Sequence, residues 1–240
     1  MTAANGPPAR PLPVATRTAP AAGALWVKVC GLRSVADVEA AAQAGADAVG
    51  FVFHPASPRH LELDAARELA RAVPAGVASV AVFLHPSRAR VAAVLEAIAP
   101  DWVQCDLADV ATLSLPAGQR VLPVLRAVDA GGAAVASAPV SPAGDAPPRR
   151  CLFEGARSGA GERADWSQAA QLARRAEVVL AGGLDAANVA DALRAVRPYG
   201  VDVSSGVERE RGVKDAARIR EFVRAARAAA AALSSEERTP

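Results

Sequence analysis

The sequence predicts one α/β domain, a (β/α)8 TIM barrel whose fifth helix is degraded to a loop. From residue 26 onward, eight short β-prone runs alternate with seven or eight amphipathic segments, the pattern of parallel strands joined by crossover helices. The chain has 240 residues, close to the ~250 of a single barrel of this kind. Its most telling glycine loops follow the last strands. An open dinucleotide-binding sheet carries Gly-x-Gly-x-x-Gly after strand one, and Gly31 has no such surroundings.

Each element has a local cause. Trp26 to Cys30 is strand one, rich in β-prone side chains. Gly31 then turns the chain, and Ser34 caps a helix with Val35, Val38 and Ala42 at helical spacing, stopped by Gly45. Asp47 to Phe53 is strand two, and the loop from His54 to His60 leads into a helix from Asp64 with Leu69 and Val73 inward. After strand three, Val77 to Phe83, the helix from Ser87 carries Val91, Val94, Leu95 and Ile98 on one stripe. Asp101 to Cys105 is strand four, followed by a short helix around Asp109 to Leu113, and Val121 to Leu125 is strand five.

Residues 127–148 break the pattern. Gly131-Gly132 with Pro139, Pro142, Pro147 and Pro148 reads as a loop in place of the fifth crossover helix. Cys151 to Glu154 is strand six, followed by a Gly-rich loop to Asp165 and a helix from Ser167. Val178 to Ala181 is strand seven. Asp185 caps a helix carrying Val189, Leu193 and Val196, and Val201 to Ser204 is strand eight. The closing helix starts near Asp215 and uses Ile219, Phe222 and Val223. The barrel therefore spans residues 25–233, between a disordered N-terminal tail (1–24) and a frayed C-terminal tail (234–240). The first tail is rich in Ala, Pro and Thr and lacks an apolar h-region, which argues against a cleaved secretory signal.

Composition narrows the function. An apolar fraction of 52% with only 4% aromatic residues suits helices packed on buried parallel strands. The net charge of +2, with basic and acidic residues interleaved, argues against a nucleic-acid partner. No apolar run approaches the ~20 residues of a bilayer span, so no membrane partner is expected. Cys30, Cys105 and Cys151 are odd in number and far apart, which argues against disulfides and structural zinc and for reduced thiols in the cytoplasm. His54, His60 and His85 lie on loops without ligand spacing, so neither a metal nor a cofactor is expected.

The candidate chemistry gathers at strand carboxyl ends, where such barrels build their sites. Ala181-Gly182-Gly183-Leu184 after strand seven and Ser204-Ser205-Gly206-Val207-Glu208 after strand eight expose backbone N–H groups suited to a phosphate. Either loop alone is also an ordinary glycine turn; the two together favour phosphate. Cys30 ends strand one, and a free cysteine there is either a small buried hydrophobe or a catalytic thiol. Lys28 shares its face by strand parity and is expected to lower the thiol pKa. Glu154 ends strand six in the apolar run Cys151-Leu152-Phe153, where desolvation would keep it protonated as an acid; the plainer reading is a solvated strand-end glutamate. Arg59, in Ser57-Pro58-Arg59, suits bidentate binding of a carboxylate.

Taken in order, Lys28-Val29-Cys30-Gly31-Leu32, Gly50-Phe51-Val52-Phe53 with Ser57-Pro58-Arg59, Ala181-Gly182-Gly183-Leu184, and Val201 to Glu208 ahead of Gly212-Val213-Lys214-Asp215 resemble the phosphoribosylanthranilate isomerase family of tryptophan biosynthesis. The resemblance covers residues 26 to about 225. It implies an Amadori rearrangement of N-(5′-phosphoribosyl)anthranilate to 1-(2-carboxyphenylamino)-1-deoxyribulose 5-phosphate, in a monomer or homodimer. By the same resemblance Cys30 is the general base, Glu154 stands where the family has an aspartate as general acid, and Arg59 holds the anthranilate carboxylate. Gly182, Gly183, Ser204, Ser205 and Gly206 fall in its phosphate loops, and Asp202 matches its strand-eight aspartate. A second departure is Gln104-Cys105-Asp106-Leu107, where the family commonly reads Gln-Leu-His-Gly. Two other readings compete. One is a histidine-pathway aminoaldose isomerase, which has a carboxylate where this chain has Cys30; the other is a non-catalytic phosphosugar-binding barrel.

Overall fold

The computed structural model describes residues 24–126, 148–155 and 163–236. Eight parallel strands close into one barrel: β1 (Trp26–Cys30), β2 (Ala48–Val52), β3 (Ala78–Val82), β4 (Trp102–Asp106), β5 (Arg120–Arg126), β6 (Arg150–Glu154), β7 (Glu177–Leu180) and β8 (Gly200–Val203). The last strand pairs with the first in a register that sets Lys28 opposite Asp202. Helices α1 (Val35–Gln43), α2 (Leu63–Ala72), α3 (Arg88–Ile98), α4 (Leu107–Val110), α5 (Trp166–Ala173), α6 (Val189–Val196) and α7 (Ala216–Glu236) complete the alternation. The expected (β/α)8 barrel is therefore the fold. The degraded fifth helix, the N-terminal tail up to residue 23, the loop around Ser158–Gly161 and residues 237–240 lie outside the described residues.

Period-two alternation gives the strands two faces, and each face has its own core. Outward side chains such as Val27, Val29, Val49, Phe51, Val103, Leu180 and Val201 pack against helical Val38, Leu69, Val94, Leu193 and Phe222. Inward ones, including Trp26, Val80, Leu122, Val124, Leu152 and Val179, fill the barrel itself. The amino-terminal end is closed by Trp102 and Tyr199, with the Arg150 guanidinium 5.4 Å and 3.9 Å from their ring centres. The apolar layer between leaves the carboxyl ends as the place where inward polar residues meet a pocket.

Several boundaries move. α4 starts at Leu107, two residues before the expected Asp109, and is one turn long. Asp185 caps a turn ahead of α6, accepting from the Ala187 and Asn188 amides at 2.8 and 2.9 Å. Fraying from Ser234 was expected, yet α7 continues to Glu236. There Leu233 is buried, and the Ser234 and Ser235 hydroxyls donate to the Ala230 and Ala231 carbonyls at 3.0 Å. An unforeseen antiparallel hairpin, β9 (Glu208–Glu210) and β10 (Val213–Lys214), follows a 3-10 turn at Ser205–Val207. Among the described residues no helix is long and apolar enough to cross a membrane.

The start of α1 is a capping box: the Ser34 hydroxyl accepts from the Asp37 amide at 3.1 Å while Asp37 accepts from the Ser34 amide at 3.1 Å. Ser34→Ala is expected to lower stability by about 1 kcal/mol, read as a lower urea midpoint with an unchanged slope.

Candidate active site

One pocket opens at the carboxyl end of the barrel, and most of the expected site residues line it. Cys30, Arg59, Glu154, Gly182, Gly183, Asp202, Ser204 and Ser205 face it together, with Gln104 and Arg211 beside them. Gly206 does not. A Cβ there would sit 2.0 Å from the Leu184 carbonyl oxygen, so Gly206 lets the β8 loop close against the β7 loop. Its lack of a side chain thus serves packing between the two loops. Gly182 and Gly183 both have positive φ, 91° and 64°, conformations a side chain rarely adopts.

Beneath the pocket lies a buried charge cluster. Lys28 is fully buried, and its Nζ donates to Asp202 Oδ1 at 2.9 Å. Burial works against the ammonium, but Asp202 and Cys30 outweigh it and raise the Lys28 pKa above the usual lysine value. The Cys30 thiol goes the other way from expectation. Burial pushes it up, and the pull of Lys28 does not overcome that push. Lysine proximity was legible in the strand parity; the depth of burial was not. A Cβ at Gly50 would lie 2.8 Å from the Cys30 sulfur and 3.1 Å from Lys28 Nζ, so a glycine on β2 leaves the space the thiol occupies. Cys105 and Cys151 are fully buried on the outward face, and burial raises both to about 12. Of the three cysteines, only Cys30 reaches the pocket.

The comparisons with known proteins agree with this geometry. The family model for N-(5′-phosphoribosyl)anthranilate (PRA) isomerase matches residues 27–225. The chain belongs to that isomerase family. A relative named N-(5′-phosphoribosyl)anthranilate isomerase, from Azorhizobium caulinodans, is 42% identical over 220 residues, 87% of this chain and 94% of its own length. Among solved structures, a phosphoribosyl anthranilate isomerase complexed with reduced 1-(o-carboxyphenylamino)-1-deoxyribulose 5-phosphate superposes with a TM-score of 0.66 at 28% identity, covering 85% of this chain and 99% of that one. Monomers generated from the dimeric isomerase of Thermotoga maritima give a TM-score of 0.67 at 27% identity, with coverage of 85% and 99%.

Within this isomerase framework Arg59 occupies the pocket wall but is not an unencumbered fork. Its Nε and Nη2 donate to Glu208 Oε1 and Oε2 at 2.6 and 2.9 Å. Lys214 Nζ meets the same carboxylate at 2.9 Å and also donates to the Ser204 carbonyl at 2.9 Å. The Ser204 hydroxyl in turn donates to the Cys30 carbonyl at 3.1 Å. This chain of contacts ties β1, the β2 loop, the end of β8 and the β9–β10 hairpin together. It holds two cations against one anion. Glu208 and Lys214 both sit in the motif around strand eight, yet neither received a role from sequence, because a long-range ion pair leaves no local pattern.

Glu154 has a partner that the sequence did not show: its carboxyl meets the Arg126 guanidinium, which reaches it from the neighbouring strand. Gln104 lines the pocket with a buried amide oxygen that has no partner among the described residues, a polar atom available to a ligand. Away from the pocket, His85 lies 3.0 Å from Asp109 and 3.8 Å from Asp106. Asp106 is already paired with Arg126.

Burial opposes the Glu208 charge, but Arg59, Lys214 and the Gly212 amide outweigh it and hold the carboxyl at about 2. Its folded pKa is therefore depressed, so its contribution is complete above the unfolded value of ~4.3 and is lost as pH falls toward 2. Glu208→Gln is expected to cost roughly 3–5 kcal/mol at neutral pH, because two buried cations lose their counter-ion. Urea unfolding from pH 7 to pH 3 should show the gap between wild type and variant narrowing below ~4.3.

Proposed function

We propose that the protein is an N-(5′-phosphoribosyl)anthranilate isomerase of tryptophan biosynthesis, converting its phosphorylated substrate to 1-(2-carboxyphenylamino)-1-deoxyribulose 5-phosphate. The observation that carries this reading is one pocket holding Cys30 and Glu154 at separate strand ends beside the paired loops of Gly182-Gly183 and Ser204-Ser205. Glycine-rich loops after the last two barrel strands are suited to the sugar phosphate. The Arg59–Glu208–Lys214 network has one more cation than anion, and Arg211 adds another, which suits the anthranilate carboxylate.

Glu154 donates a proton to the furanose ring oxygen. The C1′–O bond breaks as the nitrogen lone pair moves in, leaving a protonated iminium. That cation makes the C2′ proton acidic and favours the thiolate of Cys30 beside it. Cys30 acts as the thiolate, its own proton already lost to solvent: it removes the C2′ proton, the electron pair forms the enolamine, and tautomerisation gives the ketone. No redox partner, metal or cofactor enters, since the substrate is oxidised at C2′ and reduced at C1′. The enzyme works as a monomer or a homodimer, in the cytoplasm and without a nucleic-acid or membrane partner; the homodimer has a precedent in the dimeric isomerase of Thermotoga maritima.

Turnover of freshly generated substrate, followed by loss of anthranilate-type fluorescence, tests the reading. Cys30→Ala and Glu154→Gln should each lower kcat by roughly 10²–10⁴-fold. A wild-type protein that binds a product analogue without turnover would overturn it. Because burial raises the Cys30 thiol, kcat/KM should keep climbing from pH 7 past ~8.5, the ordinary thiol value. A flat profile over that range contradicts Cys30 as the base.

Arg211 lies in the turn between β9 and β10 and forms no ion pair among the described residues. Its neighbour Gly212 packs on the Pro58 carbonyl, where an added Cβ would come within 2.8 Å, so the turn sits over the Arg59 loop. Arg211→Ala is expected to raise KM about 10-fold and leave kcat within about 2-fold, the signature of lost uniform binding; steady-state kinetics check it.

A further inference from the structure

Two positions depart from the pattern this sequence resembles: Glu154 on β6 and Asp106 on β4. In the structure a single side chain touches both. Arg126 ends β5, the strand between them, and its register partner across β5 and β6 is Glu154. By strand parity Arg126 continues the inward row of Leu122 and Val124, so its side chain rises from the barrel interior. One terminal nitrogen, Nη1, donates to Glu154 Oε1; the other, Nη2, donates to Asp106 Oδ1 at 2.5 Å. The three side chains are only 12–15% exposed. Glu154 reaches the pocket, while Arg126 and Asp106 stand behind it.

We propose that Arg126, anchored by Asp106, is a positioning residue that holds Glu154 in the orientation from which it delivers its proton. The inference rests on the reading of Glu154 as the general acid. A glutamate has one more rotatable bond than an aspartate, so its carboxyl sweeps a wider arc unless something stops it. A guanidinium is a planar fork, and fixing one tine fixes the other. Asp106, on a rigid strand end, fixes the first tine; the second then presents one donor to Oε1. A carboxylic acid still accepts at its carbonyl oxygen, so the contact with Arg126 persists in the protonated acid. The same contact thus sets the place of the acid. The far oxygen of Asp106 faces His85 Nε2 at 3.8 Å, which braces the anchor from the β3 side.

The test is kinetic. Arg126→Gln is expected to lower kcat about 10–100-fold with KM changed less than about 3-fold, the cost of a misplaced acid rather than of lost binding. Arg126→Lys should recover part of the rate, and millimolar guanidinium should partly rescue Arg126→Ala, neither of which a purely structural role provides. Asp106→Asn should lower kcat alone but add little in the Arg126→Gln background, since both act through one contact. Glu154→Gln is run alongside. If it is inactive while Arg126→Gln keeps kcat within about 2-fold of wild type, the positioning role is overturned and the acid stands. If Glu154→Gln retains full turnover, the assignment of the acid itself fails. Should Arg126→Gln not fold, Asp106→Asn decides: lowered kcat with KM unmoved supports the device, and unchanged kcat overturns it.

Discussion

The structure depends on closure of the parallel sheet, and closure is completed where β8 meets β1 with Lys28 beside Asp202. Closing the ring makes every second side chain an interior one. Most of the interior is apolar, from Trp26 and Val80 to Leu152 and Val179. Inward charge is therefore kept only with a partner, as in Lys28 with Asp202 and, at the amino-terminal end, Arg150 with Glu177. Removing one member of a buried ion pair typically costs about 3–5 kcal/mol, far more than the pair adds to stability. A charge held at that risk is better explained by what it does to its neighbours than by what it adds to the fold.

Three charged groups ring the pocket, and each has a different task. Lys28 and Asp202 form the floor under Cys30, whose thiol pKa burial pushes up. Arg59, Glu208 and Lys214 form a wall that fixes the β9–β10 hairpin and keeps excess positive charge beside an anionic substrate. Arg126 spans β4 to β6 and grips Asp106 and Glu154. In the proposed mechanism acid and base are thus separated across the barrel mouth in unlike surroundings: a carboxyl beside a guanidinium and a thiol in a buried site. Such unequal environments suit a pocket that donates and accepts protons in the same cycle.

Much of this was legible along the chain. The strand ends at Cys30 and Glu154, the paired glycine loops and the proline-stiffened loop before Arg59 are local features, readable from propensity and spacing. The partners were not. Glu208 is 149 residues from Arg59, and Arg126 lies 20 from Asp106 and 28 from Glu154. Nothing in a short window couples such positions. Lys28 does pull the Cys30 pKa down, as its proximity implies, but burial outweighs it, and a window shows proximity without depth of burial. The close approach of Gly206 to Leu184 was likewise invisible, because it depends on how the β7 and β8 loops meet.

Sequence alone determined the alternation of elements, the closed α/β architecture and the identity of the residues at the strand ends, because each follows from period, capping and turn chemistry over a few neighbouring residues. Only the tertiary structure decided which charges meet, that Arg126 grips Glu154, and how deeply the Cys30 thiol is buried. Those depend on the register of closure, which brings residues far apart in the chain to within a hydrogen bond of one another.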